Sequence, residues 1–109
     1  MINIEDFKKI ELTVGEILSA EKIPDTDKLL KLSVNLGEEK PRQIVSGIAL
    51  YYPDINVLIG KKCFFVSNLE PRIIRGIESQ GMICALSDSN GLFSLVVPEK
   101  DVPPGTKAK

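Results

Sequence analysis

The chain has no histidine and no tryptophan, only two cysteines, and four phenylalanines and two tyrosines as its aromatics among 109 residues. Each scarcity removes a class of function. Without histidine there is no Ser-His or Cys-His nucleophile pair, and the commonest general base is missing. A structural zinc site needs about four cysteine or histidine ligands, and Cys63 and Cys84 stand far apart with nothing to complete a set. Each cysteine lies within an apolar run, which predicts a small buried hydrophobe in the reduced state. No metal and no cofactor is implied. No apolar run approaches the roughly 20 residues of a membrane span. The start, Met1-Ile2-Asn3-Ile4-Glu5-Asp6, lacks the basic and apolar regions of a secretory signal, so a cytoplasmic protein is expected.

What remains is an average globular composition, 43% apolar and 27% charged, in a chain long enough for one hydrophobic core and too short for two. Residues 1–109 are therefore read as a single domain. The net charge is only -1, yet its distribution is uneven. Residues 1–27 carry seven acidic side chains against three basic ones, a net of -4, while 61–76 carry Lys61, Lys62, Arg72 and Arg75 against Glu70 alone, a net of +3. Any anion-binding face must come from the middle of the chain. Its affinity for a polyanion should depend strongly on salt.

Periodicity gives the elements. Ile4, Phe7 and Ile10, after an Asn3 cap, predict a short amphipathic helix lidding the core. Leu12 to Lys22 reads as a strand whose apolar phase slips near Gly15, where a bulge or bend is expected. Pro24-Asp25-Thr26-Asp27 is a turn, and Asp25 and Asp27 are read as solvated. Leu30, Leu32, Val34 and Leu36 alternate with Lys31, Ser33 and Asn35, a second strand with one buried face. Gln43 to Ser46 is a third strand. A short irregular or helical stretch from Ile48 to Ile59 leads to a fourth, Lys62 to Val66, ended by Asn68 and Pro71. Arg72 and Arg75 then sit on a stiff loop before a fifth strand, Met82 to Leu86, and an added strand segment, Leu92 to Val97. Many short strands with a helix between the third and fourth indicate an all-β fold: a five-stranded Greek-key barrel of the OB type with a short N-terminal helix.

The segments Asp6-Phe7 with Val14-Gly15, Asp27-Lys28-Leu29-Leu30, Ile44-Val45-Ser46-Gly47-Ile48, Gly60-Lys61, Asn68-Leu69-Glu70-Pro71-Arg72, Arg75-Gly76-Ile77, Ser79-Gln80-Gly81-Met82 and Pro104-Gly105-Thr106-Lys107 occur in this order. Together they resemble the tRNA-binding domain found at the C-terminus of many methionyl-tRNA synthetases and as free-standing dimeric tRNA-binding proteins. The resemblance implies a non-catalytic module, a homodimer, binding to the folded shape of tRNA, and an association with methionyl-tRNA synthetase. Thr13 stands where that family commonly has arginine, and Ile73 where a lysine often follows Pro-Arg, so two positive charges are missing.

On this reading Arg72 and Arg75 fork onto phosphate oxygens, with Pro71 limiting the entropy lost on ordering their loop. Ser79 and Gln80 are neutral donors, Gly81 permits close backbone approach, and Met82 lies against a sugar or base. Lys28 and Lys31 are rim contacts beside the face of strands 2 and 3, the usual oligonucleotide face of an OB-fold. Lys61 adds charge, and Asn68 shapes the turn. Tyr51 and Tyr52 are expected in core or dimer packing. The apolar Leu92–Val97 segment suggests a two-fold dimer through the terminal segments. A reading from another class is a dimeric OB-fold export chaperone-like protein that binds unfolded polypeptide, which would need a broad exposed apolar groove.

Overall fold

A computed structural model describes all 109 residues. Its elements are a helical turn α1 (Ile4–Phe7) and nine strands: β1 (Leu12–Lys22), β2 (Leu30–Asn35), β3 (Arg42–Ser46), β4 (Lys62–Val66), β5 (Arg72–Ile74), β6 (Ile77–Ser79), β7 (Met82–Ile83), β8 (Ala85–Ser87) and β9 (Phe93–Leu95). Two 3₁₀ turns, Ala49–Tyr51 and Ile55–Leu58, fill the connection between β3 and β4. The main sheet is antiparallel in the order β3-β2-β1-β4-β7. It curls until the segment beside β7 meets β3, so the five strands form a nearly closed barrel of OB type. No helix is long and apolar enough to cross a membrane.

β2 shows why the sheet curls around one core. Leu30, Leu32 and Val34 are buried while Lys31, Ser33 and Asn35 are only half-buried, the alternation that a strand with one inward face requires. These residues pack with Ile17, Ile44, Leu58, Cys63 and Phe65, all inaccessible to solvent. Burial at this scale, about 1.5–3 kcal/mol per large apolar side chain, is the main term holding the barrel. Cys63 belongs to this cluster, and burial pushes its thiol up to about 11. Cys84 is half-buried, less enclosed than its apolar setting suggested.

The irregularity in β1 falls between Ile17 and Ser19, three residues beyond the expected place. Leu18 is the extra residue, and the slip lets one long strand pair with β4 through its first half and with β2 through its second. Gly15 has a different purpose: a Cβ there would lie 2.7 Å from Val34, 2.8 Å from Leu36 and 2.9 Å from Phe65. It is a packing glycine, and the apolar phase alone could not separate that from a bulge.

Three further expectations need correction. The N-terminal helix is one turn, not 4–10, and buries no residue; the Asn3 side chain accepts from the Asp6 N–H at 2.9 Å, but the helix does not lid the core. The fifth strand is broken at Cys84 into β7 and β8. The basic segment is a hairpin rather than a loop: Arg72, Ile73 and Ile74 pair with Ser79, Glu78 and Ile77. Three isoleucines, Ile73 and Ile74 with Ile77 beyond the turn, supply β-propensity that the arginines and glycine obscured.

Candidate nucleic-acid interface

The hairpin β5–β6 is held against the barrel by its C-terminal end. β3 offers its outer edge, and the Ser79 and Gln80 side chains complete the pairing. Ser79 Oγ accepts from the Val45 N–H at 2.9 Å and donates to the Gly81 carbonyl at 3.0 Å. Gln80 Oε1 accepts from the Gln43 N–H at 2.9 Å, the Gln80 N–H donates to the Gln43 carbonyl at 2.8 Å, and Gln43 Nε2 donates to the Glu78 carbonyl at 2.8 Å. Gly81, at φ 155°, sits where a Cβ would lie 3.1 Å from the Val66 carbonyl oxygen. Ser79 is buried and Gln80 half-buried, so their polar atoms build the hairpin's base rather than face solvent.

Arg42, which the sequence did not single out, locks the same region. Its guanidinium forks onto Glu38, with Nε at 2.8 Å and Nη2 at 2.7 Å, and Nη1 donates to the carbonyls of Ser67 and Gln80. The pair holds the Glu38 carboxyl below its ordinary range, through the hydrogen bond from Arg42. Asn68 works at the other end of the connection, accepting from the Glu11 N–H at 2.8 Å and donating to the Lys9 carbonyl at 2.7 Å. Asn68 was expected to shape the turn that follows it; its side chain instead ties the end of β4 to the segment before β1.

At the free end of the hairpin, Arg75 and Gly76 have φ of 52° and 80°, the two left-handed positions of a two-residue type I′ turn. Glycine adopts this readily, but an arginine there costs about 1–2 kcal/mol. Arg75 thus stands exposed at the apex at the expense of stability. The apex faces the β1–β2 turn across a cleft of about 610 Å³, lined by Asp25 to Leu29 on one side and by Arg72 to Arg75 on the other. Lys28, Arg72 and Arg75 are all exposed, and none forms an ion pair within the molecule. A convergence of three unspent cations is suited to an anion.

Only some of the other sequence-derived candidates adjoin this cleft. Arg72 also lines a small adjoining recess with Ser79 and the exposed Met82. Lys31 lies across the sheet on β2, 3.5 Å from Glu21 in an ion pair. Lys61 is exposed at the start of β4, outside both recesses. Its neighbour Lys62 is spent internally, 2.6 Å from Asp101 and 2.9 Å from the Val102 carbonyl. Thr13 is 1% exposed and hydrogen-bonded to Ser67 Oγ at 2.7 Å, so this position supplies no surface contact; Lys107 lies beside it, 2.9 Å from Glu11 and 3.4 Å from Thr13 Oγ1. Ile73, by contrast, is 68% exposed on the hairpin. The Asp25 and Asp27 side of the cleft was missed as a site feature. The available signal was topological, since in an OB-fold the connections between the first and second and between the fourth and fifth barrel strands, here β1–β2 and β4–β7, flank the ligand face.

Residues 12–107 match the model of the family described as "Putative tRNA binding domain". The chain belongs to that family. Similar curated proteins include the methionine–tRNA ligases of Deinococcus radiodurans, 48% identical over the whole chain, and of Methanoregula boonei, 52% identical over the whole chain. The chain spans only 16% of the length of either, so it matches only a part of those enzymes. Among solved structures it is similar to a methionyl-tRNA synthetase related protein from Pyrococcus horikoshii, at 38% identity and a TM-score of 0.90, covering 100% of this chain and 98% of that one. It is also similar to the chaperone CsaA from Bacillus anthracis, at 28% identity and a TM-score of 0.87, covering 100% and 99%.

The strained apex yields a stability prediction for this domain. Arg75→Asn keeps the turn and relieves the left-handed arginine, because asparagine tolerates that conformation. Urea unfolding should show a gain of about 0.5–1 kcal/mol; a loss would mean that Arg75 stabilises the hairpin by a contact outweighing its backbone strain.

Proposed function

We propose that this domain is a non-catalytic tRNA-docking module serving methionyl-tRNA synthetase, as an appended domain or an accessory subunit, in the cytoplasm. The observation that carries the reading is the convergence of Lys28, Arg72 and Arg75, unpaired and exposed, on one cleft between the β1–β2 turn and the hairpin. Folded RNA is recognised mostly through shape, phosphates and 2′-hydroxyls. Three cations on pinned backbone suit this mode, because little loop entropy remains to be lost on binding.

The contacts divide by role. Arg72 and Arg75 take phosphate oxygens bidentately, and Lys28 faces them from across the cleft as a compact charge. Met82, beside Arg72, lies against a sugar or base, and Lys31 and Lys61 extend the positive field along the flanks. Ser79, Gln80 and Asn68 act by fixing the hairpin and its connection. The module holds tRNA near the synthetase and so raises the effective concentration of its substrate.

Dimerisation is part of the same proposal. Tyr51 stacks on Phe93 with ring centroids 4.0 Å apart and planes within 6°, joining the first 3₁₀ turn to the C-terminal hairpin. The neighbouring Leu50, Leu86 and Leu92 are exposed by 61% or more. Exposed apolar surface on so small a protein suits a two-fold contact between copies. The similarity to CsaA supports, as the competing reading, capture of unfolded polypeptide, for which this apolar surface rather than the basic cleft would be the site.

The two readings separate in solution. Folded tRNA should bind better than an unstructured RNA of equal length, and R72A/R75A should flatten the log-log salt dependence by roughly 1–2 units. Equal binding of both RNAs, or an unchanged slope in the double variant, would contradict the proposed site. Light scattering at micromolar concentration should return the mass of two chains, and Leu92→Glu should return that of one; a monomeric wild type would remove the dimer.

A further inference from the structure

We propose that Asp25 and Asp27 make the cleft a reader of one unpaired nucleobase, guanine by preference; this deepens the RNA-binding reading above and rests on it. The cleft contains both signs of charge. Asp25 and Asp27 line one wall, beside Lys28, and Arg72 and Arg75 line the other. None of these five groups forms an ion pair with another.

Each wall is held without these groups. The turn carrying the aspartates is pinned from within. The Thr26 hydroxyl donates to the Ile23 carbonyl at 2.8 Å, the Ile23 N–H donates to the Leu29 carbonyl at 3.2 Å, and the Lys28 carbonyl accepts from the Ala49 N–H at 2.9 Å. The opposite wall is the hairpin, fixed to β3 through Ser79 and Gln80. Neither wall needs the aspartate carboxylates, which keep their whole accepting capacity for a ligand.

A phosphate alone does not match this lining, since two carboxylates repel it. The matching ligand combines an anion with N–H donors and a flat apolar face, because Leu29 and Ile74 contribute half-buried apolar surface to the same cleft. A nucleotide has all three. Its phosphate faces the arginines, and its base lies on the apolar side chains with its Watson–Crick edge toward the aspartates. Guanine presents two adjacent donors on that edge, N1–H and the N2 amino group, which fit the two oxygens of a carboxylate. Cytosine and adenine present one amino group beside an acceptor, and uracil a single imino donor between two acceptors. In a helix this edge is occupied by the pairing partner, so the cleft takes a base from a single-stranded loop or end.

Binding of the oligonucleotides UUGUU and UUUUU at low salt tests this, with wild type, D25N/D27N and R72A/R75A, and with folded tRNA as a parallel ligand. Asparagine is isosteric with aspartate and tolerates the left-handed backbone of Asp25, at φ 63°, so the fold is retained. Wild type should prefer UUGUU by roughly tenfold, the effect of one good two-donor pair. D25N/D27N should lose that preference while binding UUUUU at least as tightly as wild type, and R72A/R75A should weaken both oligonucleotides. If wild type does not prefer UUGUU, or D25N/D27N keeps the preference, base reading is overturned even though tRNA binds. If tRNA also fails to bind, the RNA-binding reading falls as well.

Discussion

The arrangement depends on how the barrel closes. Between β3 and the strands that return to it, closure uses the Ser79 hydroxyl and the Gln80 side-chain amide in place of a continuous backbone ladder, with one backbone bond from Gln80 to Gln43. A buried N–H left without a partner costs about 1–3 kcal/mol, so the Val45 and Gln43 donors fix where residues 79 and 80 must lie. Position then propagates outward. Ser79 pairs with Arg72 and Ile77 with Ile74, which puts the Arg75 apex opposite the β1–β2 turn. The site is a consequence of closure.

Charge use follows the same logic. Arg42 is committed to Glu38 and two carbonyls, Lys62 to Asp101 and Lys107 to Glu11, each tying together chain segments distant from one another or from the core. The cations at the cleft are committed to nothing within the chain. A protein with net charge -1 can therefore present a local field, because the cations needed for structure and those left free occupy different places. Arg75 makes the division plain: its backbone conformation is unfavourable for arginine, and no internal ion pair compensates. Strain that persists without a structural return points to use by a ligand.

Much of this was legible in the sequence. The alternation in β2, the extent of β1 and β4, the interruption between β3 and β4, and the basic segment all follow from periodicity and turn residues. Most of what was obscured has one cause, that local pattern does not report the neighbouring chain. Gly15 disturbs the phase of β1 as a bulge would, but its lack of a side chain serves Val34, Leu36 and Phe65 from other strands. The Arg75-Gly76 turn hid a hairpin because arginine is a poor residue for a left-handed position. Ser79 resembles an exposed donor until β3 is placed against it. Arg42 carries no local sign of its four hydrogen bonds, since all its partners lie four or more residues away.

Mapping amide chemical shifts of the isotopically labelled domain on titration with folded tRNA tests the central claim most directly. The account predicts the largest changes from Thr26 to Leu29 and from Arg72 to Ile77, the two walls of the cleft. Changes concentrated instead around Leu50, Tyr51 and Leu92, or spread evenly over the surface lysines, would contradict it.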